Sequence, residues 1–141
     1  MNKIKVLFVC IHNSARSQMA EAFLNKFGNE KFIAESAGIE PGVLNPLVVE
    51  SMAETGIDIS KNKTKSVFDL AENNNFYDYV ITVCEKEVAD KCPVFPGAGK
   101  KIQWSFSDPS KLTGSKEEKL PKIAVIRDEI KEEVHKFIKS L

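Results

Sequence analysis

The sequence predicts a single α/β domain built on a four-stranded parallel sheet with helices on both faces. Three observations predict it. Strand-like and helix-like segments alternate along the whole chain, the order that favours parallel strands joined by helical crossovers. The first strand is apolar almost without a break, as a strand covered on both faces must be. The 141 residues suffice for one domain with a real core and fall short of two. No repeat, low-complexity tract or linker divides residues 1–141.

The elements follow in order. Lys3 to Cys10 is the first strand, through Ile4-Lys5-Val6-Leu7-Phe8-Val9. A helix comes directly after it, because Met19, Ala20, Phe23, Leu24 and Phe27 recur at helical spacing and Gly28 is a natural stop. Phe32 to Ser36 reads as the second strand, ended by Ala37-Gly38. Asn45-Pro46 opens a helix to about Thr55, since Asn caps well and Pro fits the first helical position. A short helix is expected over Ser66 to Glu72, and the most β-prone stretch, Asp78 to Cys84, is the third strand. Lys101 to Trp104 is the fourth. Ser115-Lys116-Glu117-Glu118 is a capping box for a last helix striped by Ile123, Ile126, Ile130, Val134, Phe137 and Ile138. Pro121 is expected to kink or split that helix.

Composition narrows function by exclusion. Hydrophobic residues make up 43% and charged residues 28%, and 20 basic residues balance 20 acidic ones. That balance speaks against a polyanion-binding surface, so nucleic acid is not an expected partner. The N-terminus has neither the long apolar stretch nor the small-residue cleavage site of a signal peptide, and no apolar run approaches the roughly 20 residues of a membrane span. A soluble, cytoplasmic protein with no membrane partner is expected. The three cysteines, Cys10, Cys84 and Cys92, are an odd number without a Cys-x-x-Cys pair. They fit neither a disulfide framework nor the usual zinc spacings. No metal and no cofactor are expected.

Parallel sheets bind ligands at the C-terminal ends of their strands. Cys10 ends the first strand, Cys84 the third, and Asp108 follows the fourth, so all three are expected on one edge. The strongest signal is Cys-x5-Arg-Ser between a buried strand and a helix: Cys10-Ile11-His12-Asn13-Ser14-Ala15-Arg16-Ser17. Backbone N–H groups of such a loop turn inward as a nest for an anion, and the helix N-terminus adds its positive dipole end. Arg16 can grip two oxygens with its planar fork. A solvated cation is disfavoured in a helix's first turn, so its position there argues for an anionic partner. The same positive field favours a thiolate nucleophile at Cys10, to which Ser17 can donate its hydroxyl. His12 reads as a bystander, and Asn13 as a residue that tolerates left-handed backbone and holds the loop's shape. Gly97-Ala98-Gly99-Lys100-Lys101 resembles part of a nucleotide loop but lacks the earlier Gly and the Ser or Thr after Lys, and is rejected.

Attack of sulfur on an oxyanion expels an oxygen that needs a proton. Asp108-Pro109 lies in the polar stretch Ser105-Phe106-Ser107-Asp108-Pro109-Ser110, and the proline holds Asp108 extended. Asp-Pro by itself marks a turn; beside a thiol loop it supplies the acid.

The thiol loop and late Asp-Pro resemble the low-molecular-weight tyrosine phosphatase fold, and more closely the thioredoxin-coupled arsenate reductases built on it. The matching segments run in order along nearly the whole chain: Val9-Cys10 through Ser17-Gln18-Met19-Ala20-Glu21, Glu35 to Glu40, Leu44-Asn45-Pro46, Gly56 to Ser60, Ala89 to Pro93, Trp104 to Pro109 and Arg127 to Ile130. The loop is shared with the phosphatases; Cys84 and Cys92 separate the two groups. The resemblance implies a low-molecular-weight phosphatase-like fold and a three-cysteine relay. Cys10 would attack arsenate while Asp108 protonates the leaving oxygen, Cys84 would attack Cys10 and release arsenite, and Cys92 would form a disulfide with Cys84 that thioredoxin reduces. Phosphate and sulfate would bind as analogues of arsenate. If residues 84–92 were helical, the two cysteines would stand roughly 12 Å apart, and a disulfide would require unwinding. The Cys84–Cys92 spacing is one residue longer than the family's. Some members bind a monovalent cation through residues matching Asn13, Glu21 and Ser36 plus an acid after Ser60. Here Lys61-Asn62-Lys63-Thr64-Lys65-Ser66 holds no acid, so no cation site is expected.

Two other readings compete. A low-molecular-weight protein tyrosine phosphatase would hydrolyse phosphate monoesters through a Cys10 phosphoenzyme and leave Cys84 and Cys92 idle. Ser110 stands where such phosphatases carry an aromatic residue, which weakens it. A non-catalytic oxyanion-binding or redox-sensing module would have no use for the acid at Asp108.

Overall fold

The computed structural model describes residues 3–73, 75–93, 95 and 99–141. Gly97 and Ala98 of the rejected nucleotide-loop fragment lie outside them. The elements are β1 (Ile4–Cys10), α1 (Arg16–Phe27), β2 (Phe32–Gly38), α2 (Pro46–Ala53), α3 (Val67–Glu72), β3 (Tyr79–Thr82), α4 (Lys86–Ala89), β4 (Lys100–Gln103), a 3₁₀ turn (Pro109–Lys111) and α5 (Lys116–Ser140).

All strand pairs are parallel, in the order β2-β1-β3-β4. β1 is central and buried on both faces, which explains its unbroken apolar run. Val6 and Phe8 point into a large core with Met19, Phe23 and Leu24 of α1, Val48 and Met52 of α2, and Ile123, Ile126, Ile130 and Val134 of α5. Leu7 and Val9 point the other way, to Val67 of α3, Tyr77, Val80, Cys92 and Phe95. The chain leaves β1 toward β2 on one side and returns to β3 on the other. The C-terminal ends of β1 and β3 therefore flank the crevice where doubly wound sheets place their ligands.

The expected caps are present. Asn45 Oδ1 accepts from the N–H groups of Leu47 and Val48 at 3.0 and 3.4 Å. Ser115 and Glu118 form the capping box, while Ser66, expected as the first residue of its helix, instead caps α3. Several bounds differ from expectation. β2 runs on to Gly38, because Ala37 and Gly38 pair with Val9 and Cys10. β3 stops at Thr82, leaving Cys84 beyond the strand, and β4 begins one residue early. α5 is not split: it runs unbroken from Lys116 to Ser140. Pro121 removes one N–H near the exposed start of the helix, where water can satisfy the carbonyl of Glu117, and the buried isoleucine stripe holds the rest. Among the described residues, no helix is long and apolar enough to cross a membrane.

Candidate active site

The loop from Cys10 to Ser17 is shaped through its carbonyls. Cys10 O accepts from Ile39 N at 3.0 Å, Ile11 O from Glu40 N at 2.7 Å and His12 O from Gly42 N at 2.9 Å. Asn13 O accepts from Gln18 Nε2 at 3.1 Å. Ser14 O accepts from Asn45 N at 3.0 Å and Ala15 O from Met19 N at 3.0 Å. Six consecutive carbonyls are thus drawn away from the loop's interior. The N–H groups of Ile11, His12, Ser14 and Ala15 have no intramolecular acceptor among the described residues. This arrangement, ahead of the first turn of α1, has the form of an anion nest.

Asn13 is the centre of the loop. Its φ of 55° is left-handed, the conformation the sequence suggested it tolerates. Its side chain makes four hydrogen bonds. Nδ2 donates to Ser17 Oγ at 2.8 Å and Ser36 Oγ at 2.9 Å, and Oδ1 accepts from Gln18 Nε2 at 3.2 Å and Lys65 N at 3.0 Å. Because Ser17 Oγ accepts from Asn13, its own proton is free to point at Cys10 Sγ, 2.8 Å away. Asn13 N–H donates to the same sulfur at 3.2 Å. The Cys10 sulfur therefore has two donors. Ser36 in turn donates to Glu21 Oε1 at 3.1 Å, and burial, opposed chiefly by Lys65, pushes the Glu21 carboxyl above its ordinary range. His12 turns away from the loop, with Nδ1 donating to Glu40 O at 2.8 Å.

Arg16 is buried and spans the ends of the neighbouring strands. Nη1 donates to Phe106 O at 3.1 Å and lies 3.4 Å from Glu85 Oε1, while Nη2 lies 3.5 Å from Asp108 Oδ2. The other Asp108 oxygen accepts from Ser110 N at 2.9 Å and caps the 3₁₀ turn. Cys10, Arg16, Asp108 and Cys84 thus share one sheet edge, as the strand ends require. All three cysteines are free and buried. Burial, helped by the charge at Cys10 and opposed by Arg16, pushes the Cys84 thiol up to about 11. Cys92 is also pushed up by burial. It lies elsewhere, in the core on the other face of the sheet. Between the two cysteines only Lys86–Ala89 is helical, a single turn rather than a helix running from Cys84 to Cys92.

Sequence reasoning missed five contributors. Gly38, Lys65 N and the backbone of residues 39–45 shape the loop from across the fold, Gln18 bonds Asn13 from five positions along, and Glu85 holds Arg16. Glu85 follows the cysteine just past β3 and Gln18 follows the loop itself, which were usable signals; the others depend on long-range pairing.

A thiol in an anion nest at the end of the first strand of a parallel sheet, with Arg and Asp at hand, defines a class. Residues 5–141 match the family described as low molecular weight phosphotyrosine protein phosphatase, and the chain belongs to it. Within that family the chain is, by homology, one of the arsenate reductases. It is 42% identical over 140 residues to an arsenate reductase of Bacillus licheniformis, covering 99% of both chains. A solved arsenate reductase in the phosphate binding state superposes with a TM-score of 0.80 at 31% identity, over 97% of this chain and 98% of that one. A thioredoxin-dependent arsenate reductase of Corynebacterium glutamicum gives 0.72 at 30% identity, over 99% of this chain and 62% of that one.

Proposed function

We propose that the chain reduces arsenate to arsenite by a relay through Cys10, Cys84 and Cys92, with thioredoxin as reductant. The observation that carries this reading is the second thiol beside the loop. Cys84 shares a buried core with Cys10, and the residue after it, Glu85, lies 3.4 Å from the Arg16 guanidinium.

Cys10 attacks arsenic, a sulfur–arsenic bond forms, and the expelled oxygen takes a proton from Asp108. Cys84 then attacks Cys10 Sγ. The sulfur–arsenic electron pair passes to arsenic, As(V) becomes As(III), and arsenite leaves behind a Cys10–Cys84 disulfide. Cys92 attacks Cys84, frees Cys10, and the Cys84–Cys92 disulfide is reduced by a dithiol. Ile11 to Ser17 hold the oxyanion. A thiol held near 11 is a poor nucleophile at neutral pH, so the Cys84 step requires that thiol to leave its buried setting. Cys92 must cross from the other core, and the one-turn α4 is the only helical structure between the two. A dedicated phosphatase would need neither cysteine, and here Ser110 receives a hydrogen bond from Asn45 Nδ2 at 3.2 Å where a substrate ring would be met.

The test is arsenate-dependent NADPH consumption with thioredoxin and thioredoxin reductase supplied. Native protein is expected to turn over repeatedly and Cys92→Ser to stop after one arsenite per chain. Equal turnover by both would refute the relay. Hydrolysis of an aryl phosphate without arsenate reduction would make the chain a phosphatase.

A further inference from the structure

Arg16 is not idle in this structure. Two carboxylates from different loops share its fork: Glu85 Oε1 at 3.4 Å from Nη1 and Asp108 Oδ2 at 3.5 Å from Nη2. A tetrahedral oxyanion entering the nest would need the same planar donors. It would also bring negative charge beside both carboxylates, which is unfavourable. At least one has to give way, and their anchoring decides which. Asp108 is tied through its second oxygen to Ser110 N and its side chain is only 10% exposed. The Glu85 side chain is 45% exposed, and beyond its own backbone N–H its carboxylate has only Arg16 as a hydrogen-bond partner among the described residues. Lys111 is the next cation near enough to affect Glu85, so a released carboxylate has a partner available.

Glu85 is also where the segment between the two relay cysteines begins. It follows Cys84 directly, and its carbonyl accepts from Val88 N at 3.0 Å and Ala89 N at 2.9 Å, the bonds that form the single turn of α4. The carbonyl of Cys84 is held by Gln103 Nε2. The Glu85–Arg16 pair therefore pins the start of that segment to the oxyanion loop. We propose that Glu85 is a positioning residue for the reaction: its carboxylate holds Arg16 and the Cys84 segment together until an oxyanion takes the guanidinium and releases both. This rests on the relay reading, because only a Cys84 that must move needs releasing. It makes substrate occupancy the trigger for mobility, so the thiols that end the relay stay buried until there is something to reduce.

The experiment compares the native chain with Glu85→Gln, which keeps size and backbone bonds and removes the charge. Inorganic phosphate is titrated at constant ionic strength, and hydrogen–deuterium exchange is followed over residues 84–92. A half-exposed ion pair is a weak competitor, so the variant is expected to bind phosphate about two- to fivefold more tightly. Phosphate is expected to speed exchange over residues 84–92 in the native chain, while the variant exchanges fast without it. Unchanged phosphate affinity in the variant overturns the proposal, as does native exchange that phosphate leaves alone or slows. Either result beside Cys92-dependent arsenate turnover removes the latch and leaves the relay standing.

Discussion

Gly38 offers a direct test of how the anion nest is built. Gly38 pairs with Cys10 across the β1–β2 ladder, and its φ is not in the left-handed region, so space and not conformation requires glycine there. A Cβ at this position would lie 2.8 Å from Asn13 N, 2.8 Å from Ile11 O and 2.9 Å from His12 C. All three are backbone atoms of the oxyanion loop, and contact normally begins at 3.4 Å, so the loop must retreat by about 0.6 Å. Two consequences follow for Gly38→Ala. Overpacking against backbone costs about 1–3 kcal/mol, which lowers the unfolding temperature by about 3–10 °C. The retreat also moves Asn13 N, one of the two donors to Cys10 Sγ, and Ile11 O, which anchors the loop to Glu40. Misplacing a preorganised site by 1 Å costs about a hundredfold, so a shift of this size should weaken phosphate binding and slow the first arsenate turnover about tenfold. Calorimetric phosphate titration and thermal unfolding of the same samples measure both. A variant that unfolds with the native protein and binds phosphate equally would show that the segment behind the loop does not shape it.

Two further outcomes are expected. The Cys84 thiol keeps its proton in the folded chain up to about 11 against an ordinary 9.0; between those values the native state binds more protons than the unfolded one. Stability should therefore fall as pH rises through that window, by on the order of 2 kcal/mol, and the fall should shrink in Cys84→Ala when thermal unfolding is followed against pH. At Asn13, replacement by Gly removes four side-chain hydrogen bonds but keeps the left-handed backbone, whereas Ala loses both. Denaturant unfolding should find Asn13→Ala about 1–2 kcal/mol less stable than Asn13→Gly, and equal stabilities would mean that the φ of 55° is not imposed by the fold.

What could be read from the sequence and what could not divide along the distance over which each feature acts. The parallel sheet was legible because the double-sided apolar run of β1 and the caps at Asn45 and Ser115 are local statements about neighbouring residues. The thiol loop was legible for the same reason: Cys10 and Arg16 sit six positions apart on one strand–loop–helix connection. Pro121 was expected to kink or split its helix; the helix runs on unbroken, because a local rule met a long-range fact, the burial of Ile123, Ile126 and Ile130 in the large core. The parts of the site that escaped notice act across the fold. Glu85 reaches Arg16 from 69 positions away and Lys65 N reaches Asn13 from 52.

The position of Cys92 belongs to the same category and carries the most weight for mechanism. Spacing alone allowed a long helix between Cys84 and Cys92 and a correspondingly large unwinding. The structure has a single helical turn there, held by two backbone bonds to the Glu85 carbonyl and followed by bonds from Lys91 N to Val88 O and Cys92 N to Ala89 O. Losing such bonds near the surface costs little, because water replaces them. The larger cost is moving Cys92 out of the core it shares with Leu7, Val9 and Val67. Burying one small thiol contributes only about 1–2 kcal/mol. A disulfide can repay that, so the proposed relay would call for no domain motion, only exchange of one packed thiol for a covalent bond. On the proposed relay, control would then fall beside Cys84, where Glu85 meets Arg16.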